Sequence, residues 1–327
     1  MNEIMSIEEI CQRHFDCIIC FSSFEERCLS LSKVLDTDKV TRAYILCNKN
    51  EQDKILEKNS DMLKKIYGEK ASEIVVDFSN PIYTADMLIE QIISKYNCNK
   101  KISILIDIST FTHEILLILL FILKERSSQI DLVCAYNNAR EYCEGEKVDN
   151  KWLSKGIKEV RTVLGYPGNT LPSKKTHLIV IVGYEYERAL DIINFIEPNS
   201  LSLGYVSAEE TSTEKDKDAN KRYTALVEQM AISYSTIDTF TISCKNVEKT
   251  KEVLIEEISK HQNENIVIVP LNNKVSTIGV ALTVFCKPDI QICYGQPVIY
   301  NKKNYSVPGD KFCCFEFEEK DWNNNNI

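Results

Sequence analysis

Residues 16–45 read DCIICFSSFEERCLSLSKVLDTDKVTRAYI, and residues 177–206 read HLIVIVGYEYERALDIINFIEPNSLSLGYV. Laid together at one constant offset, Glu26-Arg27 falls on Glu187-Arg188 and Tyr44 on Tyr205, without a gap. Each stretch opens with a short apolar run, passes through a polar-aromatic loop, continues with apolar residues at helical spacing and closes on a second apolar run. Leu31, Val34 and Leu35 carry the buried stripe of the first copy, and Ile192, Ile193 and Ile196 that of the second.

The correspondence extends outward. Met87-Leu88-Ile89-Glu90 matches Val253-Leu254-Ile255-Glu256, and ISILID from Ile102 matches NIVIVP from Asn265. Helices are expected to begin near Thr112 and Ser276, followed by strands at Ile130–Ala135 and Ile290–Tyr294. Four corresponding elements in one order point to internal duplication. Continuous apolar strands alternating with helices indicate a parallel sheet covered on both faces. The expected fold is therefore α/β: two tandem Rossmann-like parallel-sheet domains, at 1–140 and 173–317.

Residues 141–172 carry turn signals at Gly145, Asp149-Asn150, Gly165, Pro167 and Gly168, yet are too apolar for a free linker. They read as a docked hairpin or strand extension, with YSVPGDKFCCFEFE near the C-terminus as its counterpart. The charged stretch Ser207–Asn220 interrupts the second copy, and 318–327 reads as a frayed tail.

Composition sets the class. The 327 residues are 44% hydrophobic and 27% charged, enough to bury two ordinary cores. A net charge of -9 with no basic block makes duplex DNA a poor partner, although one local anion pocket remains compatible with it. The thirteen cysteines sit mostly in apolar runs, and Cys17 and Cys20 form a CxxC string inside an expected strand, so they read as core thiols. No metal site and no cofactor are expected. The N-terminus lacks a secretory pattern, and the apolar run Ile115–Leu123 is too short to span a bilayer, so a cytoplasmic, non-membrane protein is expected.

Ligands of open parallel sheets bind beyond the carboxyl ends of the strands, where helix N-termini offer unpaired amides. The loops expected there are Ser22-Ser23-Phe24-Glu25-Glu26-Arg27, Gly183-Tyr184-Glu185-Tyr186-Glu187-Arg188, Asp107 to Glu114, and Leu271 to Thr277. In one reading Ser22, Ser23, Ser109, Thr110, Asn272, Asn273 and Lys274 hold phosphates, Phe24, Tyr184 or Tyr186 stack on a base, and Arg27 and Arg188 clamp an anion. In the other, the short polar residues cap helices and each Glu-Arg pair is an internal ion pair. No GxGxxG, GxxxxGK[ST] or HExxH pattern occurs. Asp107, His113, Glu114, Glu185 and Glu187 are the candidates for acid-base work.

The loops at Asp107-Ile108-Ser109-Thr110-Phe111-Thr112-His113 and Leu271–Leu282 resemble the strand-four loop of the CRISPR-associated Rossmann-like nucleotide sensors, the CARF superfamily. The Asp-Ile-hydroxyl opening and later Thr are kept; the family's Gly-Gly is missing, and His113 stands where its Lys would be. The resemblance implies a sensor of cyclic oligonucleotides in antiviral defence, here as two fused units around an anionic nucleotide-like molecule. With both sheets assigned, no effector domain is left, so a partner effector or self-assembly is expected. A nucleotide-processing hydrolase or transferase and a non-catalytic scaffold subunit are the alternatives.

Overall fold

The computed structural model describes residues 4–49, 53–96, 100–142, 152–213, 219–303 and 305–322. Two compact units divide the chain. The first comprises Met1–Arg140 and Val307–Ile327, and the second Glu141–Ser306. Gly145, Asp149-Asn150, part of the charged insert (214–218) and the terminal residues 323–327 lie outside the described residues.

In the first unit, β1 (Ile4–Met5) and α1 (Ile7–Gln12) precede β2 (Phe15–Phe21), α2 (Ser30–Val34), β3 (Val40–Asn48), α3 (Lys54–Tyr67) and β4 (Ala71–Val76). Then come α4 (Pro81–Gln91), β5 (Ile102–Asp107), α5 (His113–Lys124) and β6 (Ile130–Tyr142). The strands β4-β3-β2-β5-β6 are parallel throughout.

The second unit holds β7 (Ser154–Pro167), β8 (Thr176–Ile181), α6 (Tyr186–Ile196), β9 (Ser200–Val206), α7 (Ala219–Met230) and β10 (Asp238–Ile242). It continues with α8 (Val247–Ser259), β11 (Asn265–Pro270), α9 (Lys274–Cys286) and β12 (Gln291–Tyr300). Here β10-β9-β8-β11-β12 are parallel. Each sheet thus repeats the order third-second-first-fourth-fifth, and its order reverses beside its first strand, where Rossmann-like sheets open a crevice.

Both sheets are finished by a strand borrowed across the sequence. β7 follows β6 in the chain but pairs antiparallel with β12. β13 (Ser306–Glu316) follows β12 but lies beside β6. Its direction is antiparallel: the Phe317 amide donates to the Leu132 carbonyl, while the Asn137 side chain, further along β6, reaches back to Gly309 O at 2.9 Å. β1 adds to the outer edge of β13, and Arg13 clamps Glu316 with two bonds of 2.9 and 2.8 Å.

This redraws two expected boundaries. Residues 141–172 contribute a full strand to the second sheet, and 307–317 belong to the first unit, not the second. The tail is not frayed over its described part: α10 (Glu319–Trp322) buries Trp322 against Phe317, ring centroids 4.8 Å apart. The cause in both cases is the bare edge of a fifth strand, whose unpaired amides and carbonyls need a partner.

The gapless sequence match also hides a register change. Cys20 faces Ile45, whereas Ile181, which aligns with Cys20, faces Gly204, two residues before the residue aligned with Ile45. A shift of two keeps every side chain on its own face, so both cores survive it. The first copy takes up the difference in a 3-10 turn at Glu26–Leu29 followed by the short α2, where the second has one continuous helix α6. Val34, expected in the buried stripe, is exposed as a result, while Leu31 and Leu35 stay inside. Cys17 and Cys20 are buried in β2, and burial pushes the Cys17 thiol up to about 12.

Candidate functional site

The four expected loops do lie beyond the carboxyl ends of β2, β5, β8 and β11. In the first unit they are knitted into the core. Ser22, Ser23, Ser109, Thr110, His113 and Glu114 are all buried. The Ser22 amide donates to Leu46 O at 2.8 Å, Ser23 Oγ accepts from the Glu25 amide at 3.2 Å, and Thr110 Oγ1 donates to Phe21 O at 2.8 Å. The cap of α5 is Thr112, whose Oγ1 accepts from the Ile115 amide at 3.2 Å. Phe24 is half-buried.

Arg27 and Arg188 share one arrangement that no linear comparison displays. Arg27 pairs with Glu25 at 2.6 Å, lies 5.7 Å from the Tyr136 ring centroid and donates to the Asn137 carbonyl at 3.1 Å. Arg188 pairs with Glu185 at 3.4 Å, lies 5.4 Å from the Tyr294 ring centroid and donates from Nε to the Gly295 carbonyl at 3.2 Å. In each unit a buried guanidinium therefore locks the loop after the first strand to a Tyr and the following carbonyl on the fifth strand. The cation meets the negative ring face while its fork is filled by a carboxylate and a carbonyl. Both arginines are in internal ion pairs, but with Glu25 and Glu185 and not with the expected Glu26 and Glu187, which are exposed. Glu185 is committed further, since its other oxygen accepts from the Ser154 amide of β7. Glu187 is exposed, Tyr184 lies 5.8 Å from Tyr142 between ring centroids, and the Tyr186 side chain lies outside the described residues.

Asp107 ends β5 wholly inside the protein. Ser109 donates to its Oδ1 twice, from the amide at 3.1 Å and from Oγ at 2.5 Å, and Oδ2 makes no hydrogen bond. Burial pushes its carboxyl up to about 6, against the pull of the Ser109 bonds and the charge of Arg27. A carboxyl 2% exposed cannot reach a substrate in this conformation, so its chemistry is confined to holding the Ser109 turn.

The second unit arranges its fourth-strand loop differently. Asn272 Nδ2 donates to Val182 O at 2.6 Å, and its Oδ1 accepts from the Asn273 amide at 2.7 Å and from Cys244 Sγ at 2.9 Å. Asn273 caps α9 by accepting from the Ser276 amide at 3.0 Å, and donates to Cys244 O at 2.8 Å and Ser212 Oγ at 3.2 Å. The two amides thereby fasten together the loops after β8, β9, β10 and β11. Gly183 permits the tightest approach: a Cβ there would sit 1.8 Å from the Leu271 carbonyl oxygen. Lys274 opens α9, half-buried, and no acidic residue lies in that helix's first turn.

Sequence reasoning missed a second polar cluster, at the opposite edge of the same sheet, where strands begin. His177, second in β8, is stacked on His261 with ring centroids 3.5 Å apart. Around them stand Ser200 and Ser202 of β9, Asp238 at the start of β10, Glu257 near the end of α8, and Glu264 before β11. The local pattern Glu257-x3-His261-x2-Glu264 was legible, but Asp238 and His177 come to it only through the parallel pairing of β8, β9, β10 and β11. A cleft of about 570 Å³, lined in part by Asn199, Ser200, Tyr234 and Thr236, opens at the same edge.

Among the described residues no helix is long and apolar enough to cross a membrane. No family model matches the sequence, and no curated protein matches it. Among solved structures, the chain is similar to the N-domain, with NADP, of a bacterial malonyl-CoA reductase. The identity is 9%, the match covers 84% of this chain and 77% of that one, and the TM-score is 0.23. A likeness at that level carries no argument about ligand or chemistry.

Proposed function

We propose that the protein is a ligand-sensing module that takes an anionic, nucleotide-like molecule at the strand-end loops of its second unit and passes the event to a partner effector. The observation that carries this reading is the start of α9. Its cap is fixed by four side-chain bonds, its first residue is Lys274, and its first turn has no carboxylate. Such a rigid, positive helix start suits a phosphate, and half-buried Tyr184, packed beside Tyr142, lies in the neighbouring loop after β8. The corresponding helix start in the first unit carries His113-Glu114, both buried, and so suits a structural role. Recognition is thus assigned to one copy and support to the other.

The CARF-like motif directs the choice of ligand within this reading toward cyclic oligonucleotides, and a role in antiviral defence follows from that choice. Calorimetric titration of the full chain with cyclic and linear oligonucleotides tests it. Binding by one class is expected, with Lys274→Ala weakening it about tenfold or more, in line with the loss of a charge-assisted phosphate contact of roughly 1.5–3 kcal/mol. No heat with any member of the panel, or an unchanged affinity in K274A, removes the proposal.

A further inference from the structure

We infer that the strand-start edge of the second unit is a binding site for a divalent first-row transition metal, held by His261 Nε2, Asp238 and Glu257. The site lies at the edge opposite the α9 loop and does not depend on the sensing reading.

The geometry supports it first. His261 Nε2 stands 3.4 Å from Asp238 Oδ2 and 3.7 Å from Glu257 Oε1. In a tetrahedral zinc site with bonds of 2.0–2.2 Å, neighbouring ligand atoms lie about 3.3–3.6 Å apart, so both separations from Nε2 are close to the edges of such a polyhedron, and the two carboxylate oxygens lie within 4.8 Å of each other. Glu257 in the last turn of α8 and His261 in the turn that follows it present both groups from one side, and β10 brings Asp238 from the other. Nε2 is fully buried and makes no hydrogen bond.

The hydrogen bonds behind the ring support it as well. His261 Nδ1 is 2.9 Å from Glu264 Oε2, and a carboxylate only accepts, so the ring proton belongs on Nδ1. Nε2 then faces the two carboxylates, and a positive charge there, a second ring proton or a metal ion, completes the arrangement. Glu264 stands to His261 as the orienting carboxylate does in a carboxylate–histidine–metal triad. The other donors nearby are already claimed. Ser202 Oγ lies 2.7 Å from Glu257 and 2.8 Å from His177 Nε2, while Ser200 Oγ lies 2.8 Å from Glu264 and 2.7 Å from His177 Nδ1. Lys260, 2.6 Å from the second oxygen of Glu257, supplies one positive charge against three carboxylates.

Mixed imidazole and carboxylate donors suit zinc and its first-row neighbours better than calcium or magnesium. Asp238 is about half exposed, which leaves one side of the site to solvent and so a position for water or an incoming ligand.

The test uses the full chain, reduced and stripped with a chelator, then titrated with Zn2+ and with Co2+ as the spectroscopic probe. One equivalent is expected, with cobalt d–d bands of a nitrogen- and oxygen-ligated centre and no thiolate charge-transfer band. Asp238→Asn, at the exposed ligand, is expected to weaken Zn2+ binding at least tenfold with an unchanged circular-dichroism spectrum. Glu264→Gln, acting on the ring from behind, is expected to weaken it about 10–100-fold. Absence of uptake, thiolate charge transfer from the cysteines, or D238N and H261Q binding as the parent chain does would each overturn the assignment.

Discussion

Asp107 shows how one buried residue sets a measurable property. Its carboxyl, near 3.8 when unperturbed, is pushed up to about 6 because ionisation inside the sheet costs more than the Ser109 bonds and Arg27 return. Between those values the folded chain holds a proton that the unfolded chain has released. Stability therefore falls as pH rises through roughly 4 to 6, and the penalty is complete above that window. Asp107→Asn keeps an acceptor for Ser109 and removes the charge. Chemical denaturation at pH 7.5 should find the variant more stable by up to about 3 kcal/mol, with the difference vanishing near pH 4. Equal stability at both pH values would show that the carboxyl is ionised without cost. Asp107, Arg27 and Arg188 could all be picked out of the sequence. Their assignment to packing could not, because it depends on Ser109, Tyr136, Asn137, Tyr294 and Gly295, which the fold brings to them.

The two copies of the fourth-strand helix begin differently, and the difference is testable one element at a time. Thr112 caps α5 through one side-chain acceptor. Asn273 caps α9 and also satisfies the buried Cys244 carbonyl and Ser212. Thr112→Ala should cost about 1 kcal/mol, the usual loss of a cap, whereas Asn273→Ala should cost about 2–3 kcal/mol because an acceptor is left buried as well. Comparable losses in thermal or urea unfolding would mean that the α9 loop is not the bracket described. Both helix starts lay within a residue or two of the positions expected from apolar periodicity. The cross-loop bonds were invisible there, since Asn272-Asn273 makes a good cap in any helix.

At the scale of the chain, the exchange of final strands makes the units unequal in covalent terms. Residues 141–306 are continuous and contain every strand of the second sheet, while the first unit needs β13 from the far end of the sequence. A fragment 141–306 is expected to unfold as one cooperative transition by circular dichroism. A fragment 1–140 leaves the edge of β6 bare and loses the cover of Cys314, Phe315, Phe317 and Trp322, so it should self-associate in sedimentation experiments. Joining 306–327 to it through a flexible linker should restore a monomeric, cooperative fold. A monomeric, cooperatively folded 1–140 would show that β13 is dispensable.

The duplication, the alternation of strands and helices and the burial of most cysteines were determined by the sequence alone, because apolar periodicity is a local property that each stretch carries with it. Tertiary structure decided which edge each closing strand covers, which arginines are spent on packing, and that two histidines and three carboxylates converge at the starts of four strands. Those outcomes arise from pairing between residues tens to hundreds of positions apart, where burial and the need to satisfy every polar group select one arrangement among many that the same local signals allow.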